Sequence, residues 1–299
     1  MSEKLARGIW PALCTPFDDT GQHLAVDRVP ALIRALLDAG SDGFFVCGGT
    51  GEGGSMTVSE RKQMAETAAV EIAGAAPIIL QVGATSTENA VELARHAATI
   101  PVEAIGSVAP VDHPNDLSAA VEHYAAIGAA TDLPFYVYWL ANTADRTVTP
   151  PEYLEAMQVV PNFAGIKFTD TNFYFFQQLV ALSAGRLNAI TGPDEMCLAG
   201  MVMGSDAAIG TTYNIMPRLF VQMRRDFEAG NIQSAMQAQT RANQVISMLA
   251  RLDVLGGVKA MLGWRGTPVG PARPPRGPLA AAGEAQLRRE LTALDFEVA

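Results

Sequence analysis

The sequence predicts an α/β fold, a (β/α)8 barrel with a C-terminal helical extension, and three observations carry the prediction. A short apolar run, a loop and an amphipathic stretch recur as one unit from residue 9 to about residue 225. Counting gives about eight such strand–helix pairs, the number that closes a barrel. The rival, a doubly wound open sheet, normally carries a glycine-rich phosphate turn after its first strand, and Cys14-Thr15-Pro16 is nothing like one.

The apolar runs cover residues 9–13, 43–46, 78–82, 104–108, 135–138, 165–167, 188–190 and 207–210. Each has the length of a parallel strand buried on both faces. Between them, sets such as Val29, Leu32, Ile33, Leu36 and Leu37 place apolar residues on one side of a helix. Ser59, with Lys62 three residues on, is the expected cap of the second helix, and Ser86 or Thr87 that of the third. Past residue 228 the strand pattern stops. Residues 232–252, 254–262 and 284–294 read as helices with apolar faces that need burial. Gly266-Thr267-Pro268-Val269-Gly270-Pro271 and Arg273-Pro274-Pro275 form a stiff connector between them. The expected division is a barrel catalytic domain over residues 1–228 and a helical appendage over residues 229–299.

Composition narrows the function classes. Charged residues make up only 17% against 49% hydrophobic, which suits a packed core and not a disordered chain. A net charge of −10 argues against a nucleic-acid partner, since neutralising phosphates needs a basic surface. The charged first seven residues have no apolar run behind them, so no secretory leader is expected, and no apolar stretch reaches the length of a membrane span. Three scattered cysteines fit a reducing cytoplasm better than a disulfide framework. His23, His96, His113 and His123 lack the spacing of a zinc motif, which disfavours a metal-dependent mechanism; separately, no organic cofactor is expected.

A barrel presents its chemistry where strands end and loops begin. Three such places stand out. After the second strand comes Cys47-Gly48-Gly49-Thr50-Gly51-Glu52-Gly53-Gly54, where close glycines bring backbone N–H groups to a ligand and a threonine hydroxyl adds a donor, a set suited to a carboxylate. A glycine cluster alone also describes an ordinary turn. In Gly165-Ile166-Lys167-Phe168-Thr169-Asp170 a lysine ends an apolar strand. Burial there disfavours the charged amine and frees its lone pair to attack a ketone; the alternatives are reaching to the rim or pairing with Asp170. In Phe135-Tyr136-Val137-Tyr138 the two tyrosines share a face, and Tyr138, nearer the C-terminal end, is the better placed to relay protons to the next strand.

Taken together, Gly48-Gly49-Thr50-Gly51-Glu52, Tyr138 and Gly165-Ile166-Lys167 resemble the pyruvate-dependent class I aldolase family, which contains dihydrodipicolinate synthase and N-acetylneuraminate lyase. The resemblance covers nearly the whole chain. It implies that Lys167 forms an imine with a 2-keto acid, that Tyr138 shuttles protons, that Gly49 and Thr50 hold the keto-acid carboxylate, and that the chain assembles as a homotetramer. Lys167-Phe168-Thr169-Asp170, Thr191-Gly192-Pro193-Asp194-Glu195 and Gly210-Thr211-Thr212-Tyr213-Asn214 look most like the N-acetylneuraminate lyase branch. On that likeness Thr169, Gly192, Asp194, Glu195 and Thr211 contact sugar hydroxyls; the bland reading of Asp194-Glu195 is helix capping after Pro193. Trp139-Leu140-Ala141 departs from the family's Asn or His, Ile or Val, and Pro after the relay tyrosine. Thr143 replaces the arginine typical of the synthase, with Arg146 close by, and the departures at Trp139 and Asp112 leave open a substrate other than sialic acid.

Overall fold

Eight parallel strands, each followed by helix, make up the first three quarters of the chain. In the computed structural model, which describes residues 4–296, they are β1 (Gly8–Pro11), β2 (Phe44–Val46), β3 (Ile78–Gln81), β4 (Ala104–Val108), β5 (Phe135–Leu140), β6 (Phe163–Thr169), β7 (Asn188–Thr191) and β8 (Ala207–Gly210). The helices between and after them are α1 (Val29–Asp38), α2 (Val58–Ile72), α3 (Thr87–Ala97), α4 (Leu117–Gly128), α5 (Pro150–Ala156), α6 (Phe173–Leu182), α7 (Cys197–Val202) and α8 (Pro217–Glu228). From β2 to β8 each strand pairs in parallel with the next in the sequence, and β1 pairs with β8. Between β1 and β2 a bridge from Ala12 to Phe45, with the Leu13 N–H donating to the Phe45 carbonyl at 2.9 Å, brings the sheet round on itself. The (β/α)8 barrel is therefore the fold of this chain.

Alternation along the strands divides the apolar residues into two cores. Trp10, Phe45, Ile79, Tyr136, Ile190 and Ile209 fill the barrel interior. A larger cluster lies between the strands and the ring of helices. Tyr136 is at the lower end of the interior, its hydroxyl donating to Asn188 Oδ1 at 2.8 Å, while Tyr138 sits one layer higher on the same face.

Two local expectations change. The cap of α2 is Thr57, not Ser59: its hydroxyl accepts from the Glu60 N–H at 3.2 Å, and Glu60 Oε2 accepts from the Thr57 N–H at 2.8 Å. This reciprocal pair satisfies two donors that Ser59 with Lys62 could not. The strands β5 and β6 also run on to Leu140 and Thr169, because Trp139 and Phe168 stack in the outer layer at 5.7 Å between ring centroids and hold the two strands together. The third cap is Ser86, which accepts from the Asn89 N–H.

Three further helices, α9 (Ile232–Arg251), α10 (Val254–Trp264) and α11 (Ala281–Ala293), complete the described chain. The helix α9 packs along α8, and its Gln239 and Asn243 donate to the carbonyls of Asp194 and Glu195 after β7. No helix among the described residues is long and apolar enough to cross a membrane.

Candidate active site

Two lysines are buried in the described chain, Lys167 at 4% exposure and Lys259 at 3%, and their surroundings differ in kind. Lys259 Nζ lies 2.5 Å from Glu52 Oε1 and donates to the carbonyls of Thr15 and Pro271. Lys167 has no carboxylate within ion-pair distance among the described residues. Its Nζ donates to Thr169 Oγ1 at 3.1 Å and stands 3.7 Å from the centroid of the Tyr138 ring and 5.3 Å from that of Phe45. Among the described residues this buried amine is thus held by a hydroxyl and two ring faces, with no carboxylate beside it.

Alternation on β6 explains why Asp170 does not neutralise it. Lys167 and Thr169 point inward, whereas Asp170 faces the outer layer. There it accepts from Arg146 (Nε–Oδ2 3.0 Å), from the Trp139 indole at 3.3 Å and from the Asn172 N–H at 3.1 Å. Arg146 is thereby committed to Asp170, and Thr143 is turned onto the Leu140 carbonyl. Trp139 does not line the mouth: it is 4% exposed and buried among Tyr153, Phe168 and Phe175 outside the barrel wall. The expectation that Trp139 alters the substrate site is thus corrected; the departure that shares a face with Tyr138 is Leu140. Asp112 lies on an exposed turn, without a hydrogen-bond partner among the described residues.

Tyr138 is the register partner of Lys167 across β5 and β6. The ring packs edge-on against Phe45, and the half-buried side chain leaves its hydroxyl without a protein partner among the described residues. On the next wall, the N–H groups of Gly49 and Thr50 have no acceptor among the described residues. A Cβ on Gly49 would meet nothing within 4 Å, so this glycine faces open space. Thr50 Oγ1 is 2.7 Å from Thr211 Oγ1, which joins the loop after β2 to the loop after β8. Together these groups offer adjacent amide donors and hydroxyls to an anion at the C-terminal end of the barrel.

After β7 the chain turns at Gly192, where a Cβ would lie 1.9 Å from Thr169 Oγ1, so only glycine lets the loop pass behind that hydroxyl. Asp194 is buried, and its Oδ2 accepts from the N–H and the hydroxyl of Thr212, each at 2.6 Å. These bonds reach across to the loop after β8, so helix capping does not describe what Asp194 does. Oδ1 lies over Gly210, where a Cβ would come within 2.0 Å, and has no donor among the described residues. Burial pushes the Asp194 carboxyl up to about 6, against the Thr212 hydrogen bonds and the field of Lys167, with a small upward contribution from Glu195. Glu195 is exposed, and only its backbone is held, by Asn243. Sequence reasoning missed Thr212, because the Asp194–Thr212 contact joins two loops and has no local signature.

The sequence pattern of the dihydrodipicolinate synthetase family matches residues 5–294. An N-acetylneuraminate lyase of Rhizobium meliloti (strain 1021) is 37% identical over 273 residues, covering 90% of this chain and 88% of that protein. In three dimensions the chain resembles a Proteus mirabilis N-acetylneuraminate lyase with a TM-score of 0.92 at 28% identity, over 98% of this chain and 100% of that one. It also resembles a prophage protein of the dihydrodipicolinic acid synthase family from Escherichia coli K12, solved in complex with pyruvate, with a TM-score of 0.90 at 25% identity over 98% and 100%.

Proposed function

The chain belongs to the dihydrodipicolinate synthetase family, and from that premise we propose that it is a Schiff-base carbon–carbon lyase acting on N-acetylneuraminate. The family and its lyase relatives support the reaction class, and the solved pyruvate complex supports pyruvate as one half of the substrate. The observation that carries the assignment to residues is the buried Lys167 amine, without a carboxylate partner among the described residues and set against the Tyr138 ring.

The geometry translates into a sequence of steps. The carboxylate of the open-chain keto acid sits on the N–H groups of Gly49 and Thr50, which puts C2 before Lys167. The neutral amine adds to C2, and Tyr138 passes a proton to the departing hydroxyl as the carbinolamine loses water. The protonated imine then takes up the electron pair of the C3–C4 bond while the C4 hydroxyl passes its proton to the Tyr138 oxygen, which gave one up in the dehydration, giving an enamine and N-acetylmannosamine. Protonation of the enamine at C3 and addition of water at C2 release pyruvate and return the amine. The imine is the electron sink throughout, so the chemistry calls for no metal or organic cofactor. Thr169, Gly192, Asp194, Glu195 and Thr211 border the space beyond C3, and the open Oδ1 of Asp194 supports their role in holding hydroxyls of the sugar chain. The synthase reading has less support, since Thr143 is bonded to Leu140 and Arg146 to Asp170.

In this reading residues 1–228 carry the chemistry, residues 229–299 form the helical appendage, and the enzyme works in the cytoplasm as a homotetramer with small molecules as its partners. The test is borohydride reduction in the presence of pyruvate, followed by peptide mapping, with pyruvate release from N-acetylneuraminate measured in parallel. A stable adduct on Lys167 and pyruvate release are expected. An adduct on Lys259 or none at all overturns the Schiff-base assignment, and release only from other keto-sugar acids overturns the choice of substrate.

A further inference from the structure

The loop after β2 carries five glycines between Cys47 and Gly54. Glycines lose the most backbone freedom on ordering and bring no side chain to pack, so the loop needs an anchor from elsewhere. Glu52 is the one long side chain within it, and its backbone is left-handed at φ +54°, a conformation a non-glycine residue keeps only when its surroundings impose it. Its carboxylate is almost wholly buried. Oε1 meets Lys259 Nζ of α10 at 2.5 Å, and Oε2 accepts from the backbone N–H of Arg273 at 2.7 Å. The same ammonium donates to the carbonyls of Thr15 (3.0 Å) and Pro271 (3.1 Å), and the Thr15 hydroxyl donates to the Gly51 carbonyl at 2.6 Å. Arg273 completes the attachment through Glu60, with contacts of 2.9 and 2.6 Å to its two oxygens. Thus both sides of Glu52 are held by residues from the connector and α10, far along the chain.

We infer that the buried Glu52–Lys259 pair, closed by the Arg273 amide, is a positioning device that sets the Gly49 and Thr50 donors for the substrate carboxylate. The inference rests on the Schiff-base reading and extends it to residues that touch no substrate. A buried ion pair is seldom more stabilising than an apolar pair of the same volume, so its contribution here is direction. Lys259 and the Arg273 amide fix both carboxylate oxygens. Through Glu52 they fix the left-handed turn, and the Glu52 N–H in turn donates to the Gly49 carbonyl at 3.0 Å. That last bond orients the peptide linking Gly49 to Thr50, which carries the Thr50 N–H.

The experiment compares imine trapping on Lys167 by pyruvate and by hydroxyacetone, which has a ketone but no carboxylate. The variants are Lys259→Met and, because an unpaired buried Glu52 can prevent folding, the double variant Glu52→Gln with Lys259→Met, in which glutamine still accepts from the Arg273 amide. Leu287→Ala, on the buried face of α11, serves as the control of lowered melting temperature. In whichever pair variant folds, the half-saturating pyruvate concentration should rise ~10-fold or more, the cost of mis-setting a charge-assisted donor pair. Hydroxyacetone trapping should stay within about twofold of wild type, and Leu287→Ala should change neither. Unchanged pyruvate affinity in a folded variant, or equal loss for both ketones, overturns the inference. Absence of trapping in the wild-type protein defeats the Schiff-base reading itself, which keeps the two failures apart.

Discussion

Replacing Asp194 by asparagine separates the cost of a buried carboxylate from its use. Burial raises the carboxyl from 3.8 to about 6. A group whose proton affinity is higher in the folded chain stabilises fold and proton together below pH 4, and that contribution is lost as pH rises through about 6. At about 1.4 kcal/mol for each tenfold in proton affinity, the loss is about 3 kcal/mol. Asparagine keeps the shape, can accept from both Thr212 donors through its carbonyl oxygen, and does not titrate. The stability of Asp194→Asn relative to wild type should therefore climb by about 2.4 kcal/mol between pH 4 and pH 7, on the order of 5 °C in relative melting temperature for a chain of this size. Reading the difference matters, because His123 titrates in the opposite sense. Burial holds its imidazole down at about 4, between Thr87 and Ser107, so its contribution is present above pH 6.5 and lost as pH falls towards 4. The two trends offset each other in wild type and cancel in the comparison. Activity should move the other way: at pH 7.5 the variant should lose tenfold or more in kcat/KM for N-acetylneuraminate, about the worth of a hydrogen bond to a charged acceptor. Pyruvate trapping on Lys167 should persist, since pyruvate is too short to reach this carboxylate. Exposed Glu195, replaced by alanine, should leave the melting curve unchanged and cost less activity. A stability difference that is flat across this pH range refutes the reasoning about burial, and unchanged turnover refutes the sugar contact.

Tyr138→Phe should lower kcat by roughly 10²–10⁴-fold, as loss of an acid–base group does, while pyruvate still saturates the site at a similar concentration; an unchanged kcat returns Tyr138 to the packing of Phe45. Gly192→Ala should slow imine trapping and lower the melting temperature, because its Cβ would stand 1.9 Å from Thr169 Oγ1, the acceptor of the Lys167 amine. Overpacking of this kind costs about 1–3 kcal/mol, and adding Thr169→Ser should restore less of it than Thr169→Ala; trapping at the wild-type rate in Gly192→Ala means Thr169 does not hold the amine.

Much of this molecule was legible in its sequence, for reasons that differ by element. The barrel was readable because strands buried on both faces appear as unbroken apolar runs, and the spacing between them leaves room for one helix each. The cap of α2 is not legible, because Ser59 and Thr57 both precede an apolar stretch and only the reciprocal bond with Glu60 distinguishes them. Trp139 misleads for a different reason. Period-two alternation already assigns it to the outer face once Tyr138 is placed inside, but comparing residue types at aligned positions ignores direction. The Asp194–Thr212 bonds and the Glu52–Lys259 pair join segments distant in the chain, and neither residue type nor spacing announces them.

The two buried lysines show where sequence reading stops and geometry begins. Lys167 and Lys259 both follow apolar residues, and either would be costly to bury as a lone cation. Asp170, close to Lys167 in sequence, looks like its natural partner, whereas Lys259 has no acid closer than Asp253. The fold reverses that expectation. Alternation on β6 turns Asp170 outward to Arg146 and leaves Lys167 with a hydroxyl and a ring face. The path of α10 beneath the loop after β2 gives Lys259 a carboxylate from the far end of the chain. Charge neutralisation thus falls on the lysine proposed to position the loop, and is withheld from the one proposed to form the imine. A chain selected only for stability would have no reason to leave Lys167 without a carboxylate, so the lack of one among the described residues is itself the strongest structural argument for the proposal that this amine reacts.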